Sequence, residues 1–239
     1  MHGLQLEYSF SGSSVSGSAV SNLGSSGAAL NGKLVNGATV GSYGSGSSSY
    51  VTLVAASSQY VQIPTFSTGN TGLSFSIWFK STSLTSTWGR LFDFGNGAAS
   101  DNIIMFLNAE NLGLSVYVGS DADQLYNIID SMEDGLWRHV VWTLDPSGTW
   151  VVYENGVQLW SSQGRYYPKA MARFDNYLGK SNWNDPFFDG SISDFRMYSY
   201  VLSVADVKSL YSSSASLPVP TAQPTYTSRP SVSLSPTGE

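Results

Sequence analysis

The sequence predicts an all-β fold: two antiparallel sheets packed as a sandwich and closed by one short C-terminal helix. Short segments of alternating apolar and polar residues recur at roughly 8–12-residue spacing, with turn residues between them. A helical period occurs once, just after the last strand. Hydrophobic residues make up 41% and aromatic residues 13% of the 239-residue chain, enough to fill the core of one large β domain.

Leu4-Gln5-Leu6-Glu7-Tyr8-Ser9-Phe10 opens the chain with the period of a half-buried strand. Ser11 to Gly32, rich in Ser and Gly and without periodicity, reads as a long surface loop. Leu34 to Val40 places Asn36-Gly37 between apolar pairs and predicts a short hairpin. Ser49 to Val54 and Tyr60 to Ile63 are further strands, the second ended by Pro64. Leu73, Phe75, Ile77 and Phe79 share one face of the next strand, and Arg90 to Phe94 runs into the loop Gly95-Asn96-Gly97.

Ile103 to Leu107 and Leu112 to Val118 follow, then Asp121 to Gln124 with Tyr126 as a loop. Trp137 to Leu144 and Thr149 to Tyr153 are joined by Asp145-Pro146-Ser147-Gly148, and Asn155-Gly156 turns the chain into Val157 to Trp160. Asn176 begins a strand that opens into the polar loop Lys180 to Asp185 and returns as Gly190 to Tyr198. Ser203 is an N-cap with Asp206 three residues on, and Leu202 and Val207 flank that first turn at staple positions.

The charge balance narrows the function classes. The formal charge is −6 and only 12% of residues are charged, which argues against a nucleic-acid surface and suits an extracellular or cell-surface protein. There is no cysteine, so no disulfide forms. No apolar run is long enough to insert in a membrane, and Met1-His2-Gly3-Leu4 carries no signal-peptide pattern. Residues 213–239 are a Ser/Pro/Thr-rich stretch with Pro218, Pro220, Pro224, Pro230 and Pro236. It reads as a linker or stalk joining the domain of residues 1–212 to the rest of a larger, multidomain protein.

Several phrases together resemble the laminin-G-like branch of the concanavalin A-like lectin/glucanase superfamily. They are Tyr60 to Pro64, Phe75 to Lys80, Trp137-Arg138-His139-Val140, Asp145 to Gly148, Tyr153-Glu154-Asn155-Gly156, and Gly190 to Tyr198 closing with Leu202-Ser203. Their order and spacing cover about residues 4–211. The resemblance implies a jelly roll, and a domain that binds carbohydrate or protein, often with calcium.

Two sets of candidate residues emerge. Asp101-Asn102 is similar to the Asp-Asn pair of pentraxins, and Leu178-Gly179 leads into Asn182, Asn184 and Asp185 as an acidic and amide cluster does there. Calcium takes six to eight oxygen ligands. Asp101, Asn102, Asn182 and Asp185 are therefore the candidate metal set, with calcium as the cofactor. The bland alternative is that Asp101, Asn102 and Asn184 bond their own backbone in turns.

Trp183 stands in a polar loop, where an indole can stack against a sugar ring while Asn182 and Asn184 fix its hydroxyls. Tyr126 is the candidate from a neighbouring loop. Phe188 reads as a plug for the sandwich edge, and Asp93 with Asn96 reads first as part of a turn. His139, Trp78, Trp142 and Trp150 lie on strands and read as packed core.

Glucanases of this superfamily carry Glu-x-Asp-x-x-Glu along one strand, and this chain has no such segment. The expected function is thus a non-catalytic lectin-like module whose partner is a glycan or a cell-surface or matrix ligand. The alternative is a protein-binding adhesion domain or a structural spacer without glycan activity.

Overall fold

In a computed structural model, residues 3–43, 48–81 and 87–213 are described. Residues 214–239, almost all of the predicted linker, lie outside them. The strands, in chain order, are β1 (Leu4–Tyr8), β2 (Val15–Ser16), β3 (Ala19–Val20), β4 (Gly32–Val35), β5 (Thr39–Tyr43), β6 (Ser48–Leu53), β7 (Tyr60–Ile63), β8 (Phe66–Ser67), β9 (Leu73–Ser81) and β10 (Thr87–Gly95). They continue as β11 (Ile103–Asn108), β12 (Asn111–Val118), β13 (Asp121–Leu125), β14 (Arg138–Asp145), β15 (Thr149–Glu154), β16 (Val157–Ser162), β17 (Ala172–Arg173), β18 (Asp175–Leu178) and β19 (Gly190–Tyr198). One helix, α1 (Val204–Ser213), follows.

Two large antiparallel sheets form the predicted sandwich. The eight-stranded sheet runs β16-β15-β14-β9-β19-β6-β5, with β1 also paired to β19. The nine-stranded sheet runs β13-β12-β11-β10-β18-β7-β4-β3-β2. Alternation decides which side chains meet between them. Phe75, Ile77 and Phe79 of β9 and Trp142 of β14 are fully buried against Phe92, Phe94, Met105 and Leu178 of the other sheet. Phe75 lies 4.9 Å from Phe92, centroid to centroid. Each such ring contributes about 1.5–3 kcal/mol by leaving water.

Three segments depart from the sequence reading. Ser11 to Gly32 is no plain loop: β2 and β3 extend the nine-stranded sheet. Its order comes from hydrogen bonds and not from apolar period. The Asn22 side chain accepts from the Glu7 and Gly24 N–H groups and donates to the Gln5 and Gly27 carbonyls. Asn36-Gly37 turns as predicted, with φ of 57° and 74°, but β4 and β5 belong to different sheets, so the turn crosses the sandwich instead of closing a hairpin. Asp121 to Leu125 is a strand, paired along its length with β12.

The eight-stranded sheet is covered on its outer side too. Val141, Tyr153 and Tyr198 pack with Leu202, Val207 and Leu210 of the α1 region into a second, smaller core. Trp78 stacks on Tyr211 at 5.7 Å and on His139 at 5.0 Å. The helix starts on the predicted cap: the Asp206 N–H donates to Ser203 Oγ, and the Ser203 N–H donates to Asp206 Oδ2. The outer side of the nine-stranded sheet has no such helix among the described residues.

Candidate functional site

The outer face of the nine-stranded sheet carries the site, and β10 builds its centre. The β10–β11 register slips at Thr87/Gly89 and again at Arg90/Phe92. Trp88 sits at the first slip with φ of 70°, a bulge conformation that turns its ring toward the outer face. Trp88 then lies 5.2 Å from Phe106 and 5.6 Å from Tyr126. Phe106 needs the space above Gly113, where a Cβ would come within 2.3 Å of its ring.

Arg90 is held inside this aromatic group. Its guanidinium carbon lies 5.2 Å from the Phe106 centroid, 5.5 Å from Trp88 and 5.7 Å from Trp183. One terminal nitrogen donates to the Trp88 carbonyl at 3.1 Å and the other to Asp185 Oδ2 at 2.7 Å. Burial lowers the Arg90 pKa, while Asp93 and Asp185 oppose that shift. Asp185 is further placed by the Ser181 hydroxyl, which donates to the same oxygen at 2.9 Å.

Asp93, on the same strand, is fully buried and is the hub beneath the loop. Its Oδ1 accepts from Asn102 Nδ2 and Asn182 Nδ2, both at 2.9 Å, and its Oδ2 accepts the Asn182 N–H at 2.8 Å. Burial pushes the Asp93 pKa up; these donors and Arg90 pull against it. Gly95 makes room for the reach, since a Cβ there would lie 2.2 Å from Asn102 Nδ2. Asp93 thereby fixes the start of the loop that carries Trp183.

Trp183 is half-buried and lies 5.4 Å from Tyr117 on β12. A short chain of hydrogen bonds crosses the neighbouring strands. Tyr126 Oη donates to Gln124 Oε1 at 2.8 Å, and Gln124 Nε2 donates to Tyr117 Oη at 3.2 Å. Tyr117 Oη accepts that bond, and among the described residues no hydrogen bond uses its own hydrogen. Among the described residues, no hydrogen bond uses Asp185 Oδ1. A stacking ring, a hydroxyl donor and a carboxylate acceptor thus stand together, the combination that sugar recognition uses.

The sequence-predicted residues divide in the structure. Trp183, Asn182, Asp185 and Tyr126 come to this one face. Asn184 is exposed in the same loop. Asn102 lies beneath it at Asp93. Asp101 points elsewhere: its Oδ1 accepts the Gly119 N–H at 2.6 Å and meets Lys169 Nζ at 3.3 Å. Its carbonyl accepts from Arg173, which is fully buried, and burial lowers the Arg173 pKa to about 10.

The proposed calcium set does not suit a cation. Asn102 and Asn182 aim N–H groups at Asp93. Asn102 Oδ1 is spent on the Ser100 N–H, and Asn182 Nδ2 also meets the Asp175 carbonyl, so neither amide gains by flipping. Asp101 and Asp185 already hold Lys169 and Arg90. Among the described residues, no group of three or more His, Cys, Asp or Glu is placed to hold a metal. Calcium needs a shell of oxygens, and a shell of N–H donors and ammonium groups is its opposite.

Sequence reasoning missed Arg90, Trp88 and Tyr117, took Gln124 only as part of a loop with Tyr126, and ranked Asp93 as part of a turn. A signal was present: Arg90 and Asp93 are charged residues inside a strand of Leu and Phe. Phe188 is fully buried in the core, as read.

The comparisons with known proteins agree with this architecture. The family model described as concanavalin A-like lectin/glucanases superfamily (Laminin_G_3) matches residues 55–208. The chain belongs to that superfamily. Among solved structures, domain 4 of AbnA, a GH43 extracellular arabinanase from Geobacillus stearothermophilus in complex with arabinotriose, is similar at 24% identity and a TM-score of 0.65. The match covers 87% of this chain and 98% of that one.

The binding domain of Paraclostridial Mosquitocidal Protein 1 is similar at 15% identity and a TM-score of 0.64, covering 89% of this chain and 52% of that one. The botulinum neurotoxin serotype G binding domain is similar at 14% identity and a TM-score of 0.65, covering 89% and 51%. The chain thus spans about half the length of these toxin domains. At such identities the likeness is one of fold. No curated protein sequence matches.

Proposed function

We propose that this domain is a non-catalytic carbohydrate-binding module of a larger extracellular protein, and that it takes its glycan on the open face at Trp183. The observation that carries the reading is the grouping of the half-buried Trp183 ring with the free Tyr117 hydroxyl hydrogen and Asp185 Oδ1. The Asp93 hub holds the loop in place, so the site is preorganised and loses little entropy on binding. A solved relative in complex with arabinotriose, domain 4 of AbnA, supports the assignment to carbohydrate.

The carboxylates argue for binding without hydrolysis. Glycoside cleavage needs two carboxyl groups facing one bond, one as acid and one as base or nucleophile. Here Asp93 is sealed under three N–H donors and Asp185 is tied to Arg90. Calcium has no part in this reading, because Asn102 and Asn182 turn N–H groups to Asp93 while Asp101 and Asp185 face Lys169 and Arg90.

Affinity electrophoresis on a panel of polysaccharides tests the proposal. The wild type is expected to be retarded by at least one polymer, equally with calcium and with chelator, and Trp183→Ala to lose that retardation while staying folded. Retardation that disappears in chelator contradicts the calcium-free reading. Retardation that survives Trp183→Ala contradicts the site.

A further inference from the structure

We infer that the glycan taken at this face is uncharged, and that Asp185 is the residue that enforces the choice. The inference rests on the carbohydrate-binding reading above and goes on to name the ligand class.

An acidic sugar is recognised through a cation that can meet its carboxylate or sulfate, usually a guanidinium in fork geometry. Arg90 is the guanidinium of this face, and it is already used. Its side chain is only 6% exposed. Its two terminal nitrogens go to Asp185 and to the Trp88 carbonyl, and the Phe106, Trp88 and Trp183 rings cover it. Lys180 stands on the same outer face but over the next strands, β18 and β7, 3.8 Å from the centroid of Tyr177 and 5.1 Å from that of Tyr60.

The local balance is therefore negative. Beneath Trp183, Asp93 and Asp185 stand against Arg90, with Lys180 drawn off over Tyr177, and Asp185 is the more open of the two acids, with its side chain 25% exposed. A uronate or sialate placed on Trp183 would bring a second carboxylate toward Asp185, and among the described residues the cation over that ring is Arg90, already paired; like charges so placed repel. A neutral sugar meets no such penalty. Its hydroxyls can donate to Asp185 Oδ1 and accept from Tyr117. Asp185 would thus serve twice, as the acceptor for a neutral hydroxyl and as the charge that turns an acidic ring away.

The test is affinity electrophoresis and calorimetry at low salt. The wild type and Asp185→Asn are run against neutral polymers (debranched arabinan, galactomannan and mixed-linkage β-glucan) and against polygalacturonate. The wild type is expected to bind at least one neutral polymer and to bind polygalacturonate at least tenfold more weakly. D185N keeps the side-chain shape and an oxygen for Arg90, but leaves the guanidinium unneutralised. It is expected to bind polygalacturonate at least tenfold more tightly than the wild type, a gain that added salt removes, and to lose several-fold on the neutral polymer.

Wild-type binding of polygalacturonate as tight as that of any neutral polymer overturns the inference and leaves the binding-module reading standing. A folded D185N with no gain on polygalacturonate removes Asp185 from the role. If the wild type binds none of the polymers, the inference falls together with the reading beneath it. The wild-type comparison decides the ligand class even if D185N fails to fold.

Discussion

The two outer faces of the sandwich use the same kinds of residue to opposite ends. On the eight-stranded sheet, Trp78 and His139 stack beneath Tyr211 of α1, and both are almost wholly buried. On the nine-stranded sheet, Trp183, Tyr117, Trp88 and Tyr126 gather around Arg90, and Tyr126 remains 42% exposed. An aromatic cluster on a sheet thus has no fixed meaning. Cover decides it: a helix turns one face into core, and the loop from Lys180 to Asp185 only frames the other.

The comparison is broken most sharply by one substitution on each face. Trp78→Ala empties a covered site, so it is expected to cost about 3–5 kcal/mol of stability. In a chain of this size that lowers the melting temperature by roughly 10 °C, with glycan affinity unchanged where the protein is folded. Trp183→Ala is expected to do the reverse, leaving the melting temperature nearly unmoved and weakening binding by on the order of 2 kcal/mol. Thermal denaturation and calorimetry on the two variants check both halves. A Trp183→Ala protein that melts as early as Trp78→Ala would mean that the loop is core after all.

Acid sharpens the same contrast by a smaller amount. His139 lies under the helix with Nε2 on Ser76 Oγ at 2.8 Å, and burial lowers its pKa to about 3, with Arg196 adding to the shift. Its unfolded value is higher, near 6.5, so the unfolded chain binds the proton first. Stability from this group is complete above pH 6.5 and is lost as pH falls toward 3, at roughly 1.4 kcal/mol per pH unit. Glu154, whose pKa is raised by burial, acts in the opposite sense. The informative quantity is therefore the difference in denaturant midpoint between wild type and His139→Gln over that range. A difference that does not change with pH would refute the assignment.

How legible each face was follows from what holds it. The strands that fill the core were readable because β9 alternates apolar and polar residues and turn residues follow β14, and α1 was readable from Ser203 and Asp206. The segments β2 and β3 were not, because Ser and Gly carry no periodicity and the order comes from dispersed hydrogen bonds, those of the Asn22 and Asn31 side chains among them. β13 was hidden by its acids. Asp123 uses them to anchor a neighbouring loop, accepting the Tyr166 N–H at 2.7 Å and pairing with Arg165.

The candidate site was legible at Trp183, whose polar surroundings marked it, and illegible beneath it. Asp101 and Asn102 are adjacent in sequence and looked like one ligand pair. Asp101 takes φ of 54°, and the two side chains part company, one to Lys169 and one to Asp93. The hydrogen-bonded partners of the site, Arg90 with Asp185 and Asp93 with Asn182, lie 95 and 89 residues apart. Only the sheet order β12-β11-β10-β18 brings them together.

Whether the open face or the covered one receives a glycan is read from side-chain and backbone NMR shifts during titration with a neutral oligosaccharide that the wild type binds. The Trp183 indole, the Gln124 amide and the residues around Tyr117 and Asp185 are expected to shift together, while Trp78, His139 and Tyr211 stay still. Shifts centred on Trp78 and the helix, with Trp183 unmoved, would contradict the open-face site.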